Sequence, residues 1–331
     1  MARRSSPLTH DDYAIACICP TGLEQAPMEA LLDEIHPILP TFRRRNSYTL
    51  GRMGIHNVVI AAMPGTGNTR AAVVATQLMN DFHFVRFILL VGTGGGVPNP
   101  EKGIDIRLGD VVVSDTSGSF GGVALFDRGG SLSDIRFEKT GPLSTPPHVL
   151  LSTVRRLRAR HIQVGSSIPK MLSGMVSRYP KMKRTGYIHQ GVENDRLFRA
   201  KSQHHGGLDC RACDSKGIVL RPARHCSAPV IYYGMIGSSN TVVKDGAIRE
   251  RLKNDLHLLC VETEAGGLMD SFPCLIIRGV SHYADSHKND RWQPYAAASA
   301  AAYAKELLSF VPLLDRQPFM GDLHGGNGHS F

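Results

Sequence analysis

No stretch of this 331-residue chain approaches the ~18 consecutive apolar residues that a membrane-spanning helix requires, so no such helix is expected. The opening residues MARRSSPLTHDDY are basic but lead into no apolar segment, and no secretory signal is expected. Cysteine is sparse and odd in number, at seven, and Cys17, Cys19, Cys260 and Cys274 fall in apolar segments. That usage fits buried, reduced thiols of a cytosolic or nuclear protein rather than a disulfide framework. There is no GxGxxG and no glycine loop ending in Lys-Ser or Lys-Thr, so neither a dinucleotide fingerprint nor a P-loop is present. No cofactor is expected. Acidic residues are scarce in one place: between Leu151 and His225 stand 16 Lys and Arg against 4 Asp and Glu, so the net charge of +9 is local. Aromatics are few there as well, which counts against base stacking on nucleic acid, and the segment reads as a solvated basic insertion.

Against these absences stands an ordinary globular composition, with 42% hydrophobic residues, 20% charged residues and 34 glycines. Tyr13–Cys19, Phe84–Val91 and Pro273–Val280 are continuously apolar and read as buried strands. Tyr48–Met53 and Asn57–Met63 read as a strand pair about Gly54, and Gly109–Ser114 and Ile231–Ile236 as further strands, the former followed by a glycine-rich loop through Gly130. Helical patterns run over Leu23–Glu34, Thr69–Asn80, Val149–Arg160, Lys244–Lys253 and Pro294–Val311, the second with Asn68 or Thr69 as its N-cap. Strands alternating with helices predict one α/β domain, a mixed central β-sheet flanked by helices. Its expected limits are 8–312, with the basic insertion at about 165–224 and flexible termini at 1–7 and 313–331.

Functional groups of such sheets gather beyond the C-terminal ends of strands. That points to Ser281, His282 and Asp285, with Glu262 and Glu264 of VETEAGG reaching the same rim. Each has a plainer reading: Glu24, Glu262 and Glu264 as first-turn acids complementing a helix dipole, His282 as a packed loop histidine. The run Gly92-Thr93-Gly94-Gly95-Gly96 reads either as a loop that approaches a ligand or as a tight turn. Cys210-Arg211-Ala212-Cys213 has zinc-like spacing, with His204, His205, His225 and Cys226 nearby. The second ligand pair is irregular, so packed or exposed thiols are preferred and no metal is assigned.

Taken in order, LTHDDY (8–13), YTLGRMGIHNVVIAAMPGTGNT (48–69), LLVGTGGGVP (89–98), DIRLGDVVVS (105–114), VETEAGGLMDSFPCLIIRG (261–279) and YADSHKNDRWQPYAAASAAAYAKELL (283–308) resemble one family. It is the superfamily of purine nucleoside phosphorylases, uridine phosphorylases and methylthioadenosine/adenosylhomocysteine nucleosidases, and the likeness is to its fungal branch. The resemblance implies cleavage of the N-glycosidic bond of a purine nucleoside, a nucleoside-like ligand as partner, and self-association into a homo-oligomer. It implies further that Glu264 binds the ribose hydroxyls, that Glu24 positions and deprotonates water, that Thr93 and Gly94 touch ribose or phosphate, and that Ser239, Asn240 and Thr241 contact the base. Glu262 and Thr263 belong to the same pocket. Departures from the family pattern are equally informative. His282 stands where the family has the acid that protonates the base, Thr263 where it has Met, and Ser239 where it has Gly. Leu90 stands where phosphorylases have an Arg, and CPTGLEQ replaces their PGDxxR-like loop. With both phosphate arginines missing, water is the expected nucleophile. The rival expectations are a nucleoside-binding module without turnover and a pocket turned to another small molecule in specialised metabolism.

Overall fold

A computed structural model of the chain describes residues 7–40, 46–115, 122–128, 135–136, 145–207, 209–269 and 271–314. The expected flexible termini fall largely, and the glycine-rich loop toward Gly130 partly, outside the described residues. Strands β1 (Ile15–Cys19), β2 (Glu34–Ile35), β3 (Tyr48–Met53), β4 (His56–Ala62) and β5 (Phe87–Gly96) enclose helices α1 (Gly22–Ala30) and α2 (Asn68–Asp81). Then come β6 (Val111–Ser114), β7 (Val123–Leu125) and a short pair β8 (Asp127–Arg128) and β9 (Ile135–Arg136). Helices α3 (His148–Val164), α4 (Ile168–Arg178) and α5 (Pro180–Arg184) precede β10 (Ile231–Gly234) and β11 (Ile236–Ser238). The chain continues through α6 (Gly246–Leu256), β12 (Cys260–Glu262), α7 (Ala265–Met269), β13 (Cys274–His282) and α8 (Gln293–Leu308).

The sheet order is β10-β6-β13-β5-β1-β4-β3-β2, with β12 antiparallel to the end of β5 and carrying β11 and β7 beside it. The three central strands β13, β5 and β1 run parallel, and β6 joins β13 antiparallel, so the sheet is mixed. Side chains alternate between two cores because successive strand residues face opposite ways. Cys17, Val58, Ile60, Leu89, Val91 and Ile277 face one way, toward α1 and α8. Ile18, Val59, Ala61, Ile88, Leu90 and Ile276 face the other, toward α2 and α7. Helix α8 is buried nearly all round, which its alanines permit: a Cβ on Gly279 of β13 would collide with the Ala296 carbonyl.

Three expectations need correction. The glycine run is not a loop, since β5 continues through Gly96 with Gly92 to Gly94 in register against β13 and Gly95 and Gly96 against β12. Much of its backbone serves the sheet ladders, while the Thr93 N–H donates to the Glu24 carboxylate. The glycines instead admit neighbouring side chains: a Cβ on Gly92 would collide with the Arg278 guanidinium, and one on Gly95 would lie 2.7 Å from His282 Cε1. The segment 165–224 is not a solvated appendage either. Leu172 and Met175 of α4 enter the main core, and Leu197 and Phe198 are buried. Two of its arginines are paired inside the fold, Arg224 on Asp110 (2.7 Å) and Arg221 on Asp195 (2.9 Å) and Asp105 (3.3 Å). Finally, β13 runs to His282 rather than stopping at Val280, and its register slips between those two residues. Such a bulge re-aims the side chains at a strand end.

Among the described residues no helix is long and apolar enough to cross a membrane. All seven cysteines are free.

Candidate functional site

A cavity of about 180 Å³ opens at the C-terminal ends of β1, β5 and β13, lined among others by Glu24, Thr93, Thr241, Glu264, Ser281 and His282. The first turn of α1 supplies Glu24, which is only 3% exposed and so is not a surface acid complementing the helix dipole. Its Oε1 accepts from the Thr93 backbone N–H (2.7 Å) and Oγ1 (2.9 Å), its Oε2 from Thr21 Oγ1 (2.8 Å). Burial raises its pKa above the ordinary carboxylate value, while the Arg278 charge and these three donors pull the other way.

The turn from β12 into α7 carries the other two acids. Glu262 accepts from the Glu264 (3.0 Å) and Ala265 (2.9 Å) backbone N–H groups, so its carboxylate closes the start of α7. Glu264 Oε1 accepts from Gly67 N–H (3.2 Å) at the start of α2 and from the Thr263 hydroxyl. That approach depends on the Gly266-Gly267 pair, since a Cβ on Gly267 would collide with the Asn68 carbonyl.

Between the acids lies Arg278, fully buried on β13 in register with Gly92. Its Nη2 donates to Glu262 Oε2 (2.5 Å) and Glu264 Oε2 (2.9 Å). Burial disfavours its charge, but Glu262, Glu264 and Glu24 outweigh that and raise its pKa. Sequence reasoning passed over this residue inside the apolar run LIIRGV. One signal was there: a lone arginine at the centre of an otherwise apolar strand must have buried anions to meet.

His282 Nδ1 accepts from the Ala284 backbone N–H (3.0 Å), so the ring proton sits on Nε2. Burial, with the Lys288 ammonium adding to it, pushes the ring's pKa down to about 3. The imidazole is therefore neutral at physiological pH, a hydrogen-bond donor rather than a charged acid. It lines the cavity where the resemblance places the group facing the base.

The chain matches the phosphorylase superfamily over residues 14–193, more than half its length. It belongs to that superfamily. A nucleotide-binding leucine-rich repeat (NLR)-like protein of Hyaloscypha variabilis is 38% identical over 312 residues, which are 94% of this chain but 30% of that relative. The chain thus spans under a third of that fungal protein's length. A 5'-methylthioadenosine/S-adenosylhomocysteine nucleosidase of Mycobacterium bovis is 26% identical over 274 residues, covering 80% of this chain and 84% of that one. Among solved structures, futalosine hydrolase of Helicobacter pylori superposes with a TM-score of 0.55 at 15% identity, covering 91% of this chain and 99% of that one.

In this superfamily member the cavity gathers Glu24, Thr93, Gly94, Thr241, Glu262, Thr263, Glu264 and His282. It does not gather Ser239, which is buried and accepts from the Thr241 N–H (3.2 Å), nor Asn240, which is exposed and paired with Asn68 (3.1 Å). Asp285 is likewise occupied elsewhere, bound to Arg249 at 2.9 Å. Leu90, where a phosphate arginine was sought, is fully buried in β5. A larger cavity of about 270 Å³ adjoins across Ser281 and His282, but the cluster of buried acids lies on the smaller side.

Proposed function

We propose that this chain cleaves the N-glycosidic bond of a purine nucleoside with water as the nucleophile. The observation that carries the reading is the set of three carboxylates, Glu24, Glu262 and Glu264, around the single buried Arg278. The bond breaks through a ribosyl cation, which anionic groups stabilise. The same acids repel a phosphate dianion, whereas water is neutral. The nucleosidase relative supports this class of reaction.

In this mechanism Glu24, its carboxylate oriented by Thr21 and Thr93, holds a water molecule and accepts its proton as the water attacks the anomeric carbon. A raised pKa suits that base role. Glu264, fixed by Gly67 and Arg278, accepts from the ribose hydroxyls. The base departs with the glycosidic electron pair, and His282 Nε2–H donates a hydrogen bond to the charge growing on it. The departed base anion takes up a proton from solvent while Glu24 gives its own back to solvent, leaving free base and ribose as the products.

Release of free base from purine nucleosides by the purified chain, followed chromatographically, tests the assignment. Glu24→Gln and Glu264→Gln should each reduce it by about 10²–10⁴-fold. Unchanged turnover in either variant rejects the mechanism. One observation favours a second reading, binding without turnover: a neutral His282 donates no full proton to the leaving base. In that case purine nucleosides would raise the melting temperature while no base appears.

A further inference from the structure

Outside the acid-lined cavity, the segment 196–218 packs on the loop that follows β13. There, the ligand atoms of His204, Cys210 and Cys213 all lie within 4.8 Å of one another. His204 Nε2 stands 3.2 Å from the Gly207 carbonyl, which can only accept, so Nε2 carries the proton and Nδ1 presents its lone pair. That lone pair faces both sulfurs, Cys213 Sγ at 3.3 Å and Cys210 Sγ at 3.9 Å. A backbone carbonyl fixing the far ring nitrogen is the usual support of a metal-bound histidine.

A second observation points into the same place. The His287 side chain is 4% exposed, and among the described residues neither of its ring nitrogens has a hydrogen-bond partner. Nδ1 stands 3.7 Å from Asp285 Oδ1, and the ring, stacked on Phe198, lies edge-on to His204 with centroids 5.6 Å apart. The His287 carbonyl is 3.9 Å from Cys210 Sγ. Sequence spacing had put His205, His225 and Cys226 forward as partners, but all three are exposed.

We propose that Cys210, Cys213 and His204 bind a zinc ion, with the imidazole of His287 turning into the fourth position. Two sulfurs and two imidazole nitrogens are a tetrahedral zinc set. The ion would staple the 196–218 segment to the loop after His282, where His204 N–H already donates to Ser286 Oγ (3.0 Å). It would form one wall of the larger cavity, beyond the proposed hydrolytic groups.

The test uses the full chain isolated under reducing conditions. Elemental analysis should give about one zinc per chain, and cobalt substitution should give intense tetrahedral d–d bands with thiolate-to-cobalt charge transfer. Cys210→Ser and Cys213→Ser should lose both signals, whereas Cys226→Ser should keep full stoichiometry. His287→Ala should weaken affinity at least about tenfold. If the serine variants do not fold, the wild-type cobalt spectrum decides. Wild-type chain without zinc and without thiolate–cobalt bands overturns the proposal, as does a mass two hydrogens lighter, the signature of a Cys210–Cys213 disulfide.

Discussion

Replacing Arg278 by methionine removes the only cation among the described residues within bonding distance of Glu262 and Glu264 and leaves Glu24 without its nearby counter-charge. Methionine fills most of the space, so the loss is electrostatic. Breaking one partner out of a buried pair costs about 3–5 kcal/mol. At about 2–4 °C per kcal/mol for a domain of ~150–250 residues, the melting temperature should drop by roughly 6–20 °C. The pH dependence gives a sharper signature. Burial already raises the Glu24 and Glu262 pKa values, and removing Arg278 raises them further. A carboxyl group whose folded pKa lies above its unfolded value stabilises below the unfolded pKa and loses that contribution as pH rises through the folded one. The deficit of Arg278→Met should therefore shrink toward pH 5 and be largest near pH 8. Thermal unfolding across that range measures it, with Glu262→Gln added to recover part of the loss. A deficit below about 1 kcal/mol, or one independent of pH, would refute the buried-charge account.

Further outcomes follow from the same geometry. Glu24→Gln should cut base release by about 10²–10⁴-fold without lowering the melting temperature near pH 7, because it removes a buried charge whose raised pKa costs stability there; a large drop in stability would argue for a structural role. Base release by the wild type should rise with pH through the raised Glu24 pKa and show no limb near the ordinary histidine value, since His282 lies at about 3; a limb near 6.5 assigned to His282 by its loss in His282→Asn would contradict this. Gly92→Ala should cost about 1–3 kcal/mol of stability and most of the activity, because its methyl collides with the Arg278 guanidinium; an active, fully stable variant would count against the packing argument. His282→Asp, which supplies a carboxyl group beside the base, should release base faster if proton donation limits turnover; an unchanged or slower rate would show that it does not.

The sheet was legible because its buried strands are continuously apolar and its hairpin carries a glycine at φ +61°. Motif order then placed Glu24, Glu264 and His282 around one cavity. What escaped the sequence was mostly long-range pairing. Arg224 and Arg221 look like parts of a solvated basic segment until Asp110, Asp105 and Asp195 arrive from elsewhere in the fold. Arg278 hid within an apolar run because its partners are three carboxylates on other elements. The glycine run resembled a loop because glycine has no side-chain alternation to mark a strand. Only the neighbours crowding Gly92 and Gly95 show why glycine stands there. Near His204 the sequence offered several candidate ligands, and of them the fold brings Cys210, Cys213 and His204 together beside the loop after His282.

The most direct test of the hydrolytic reading is chromatography of a purine nucleoside panel incubated with the chain, with and without phosphate. The account predicts free base and free ribose at the same rate in both, with at least about 100-fold less from Glu24→Gln. Base that appears only when phosphate is present, accompanied by ribose 1-phosphate, would contradict it.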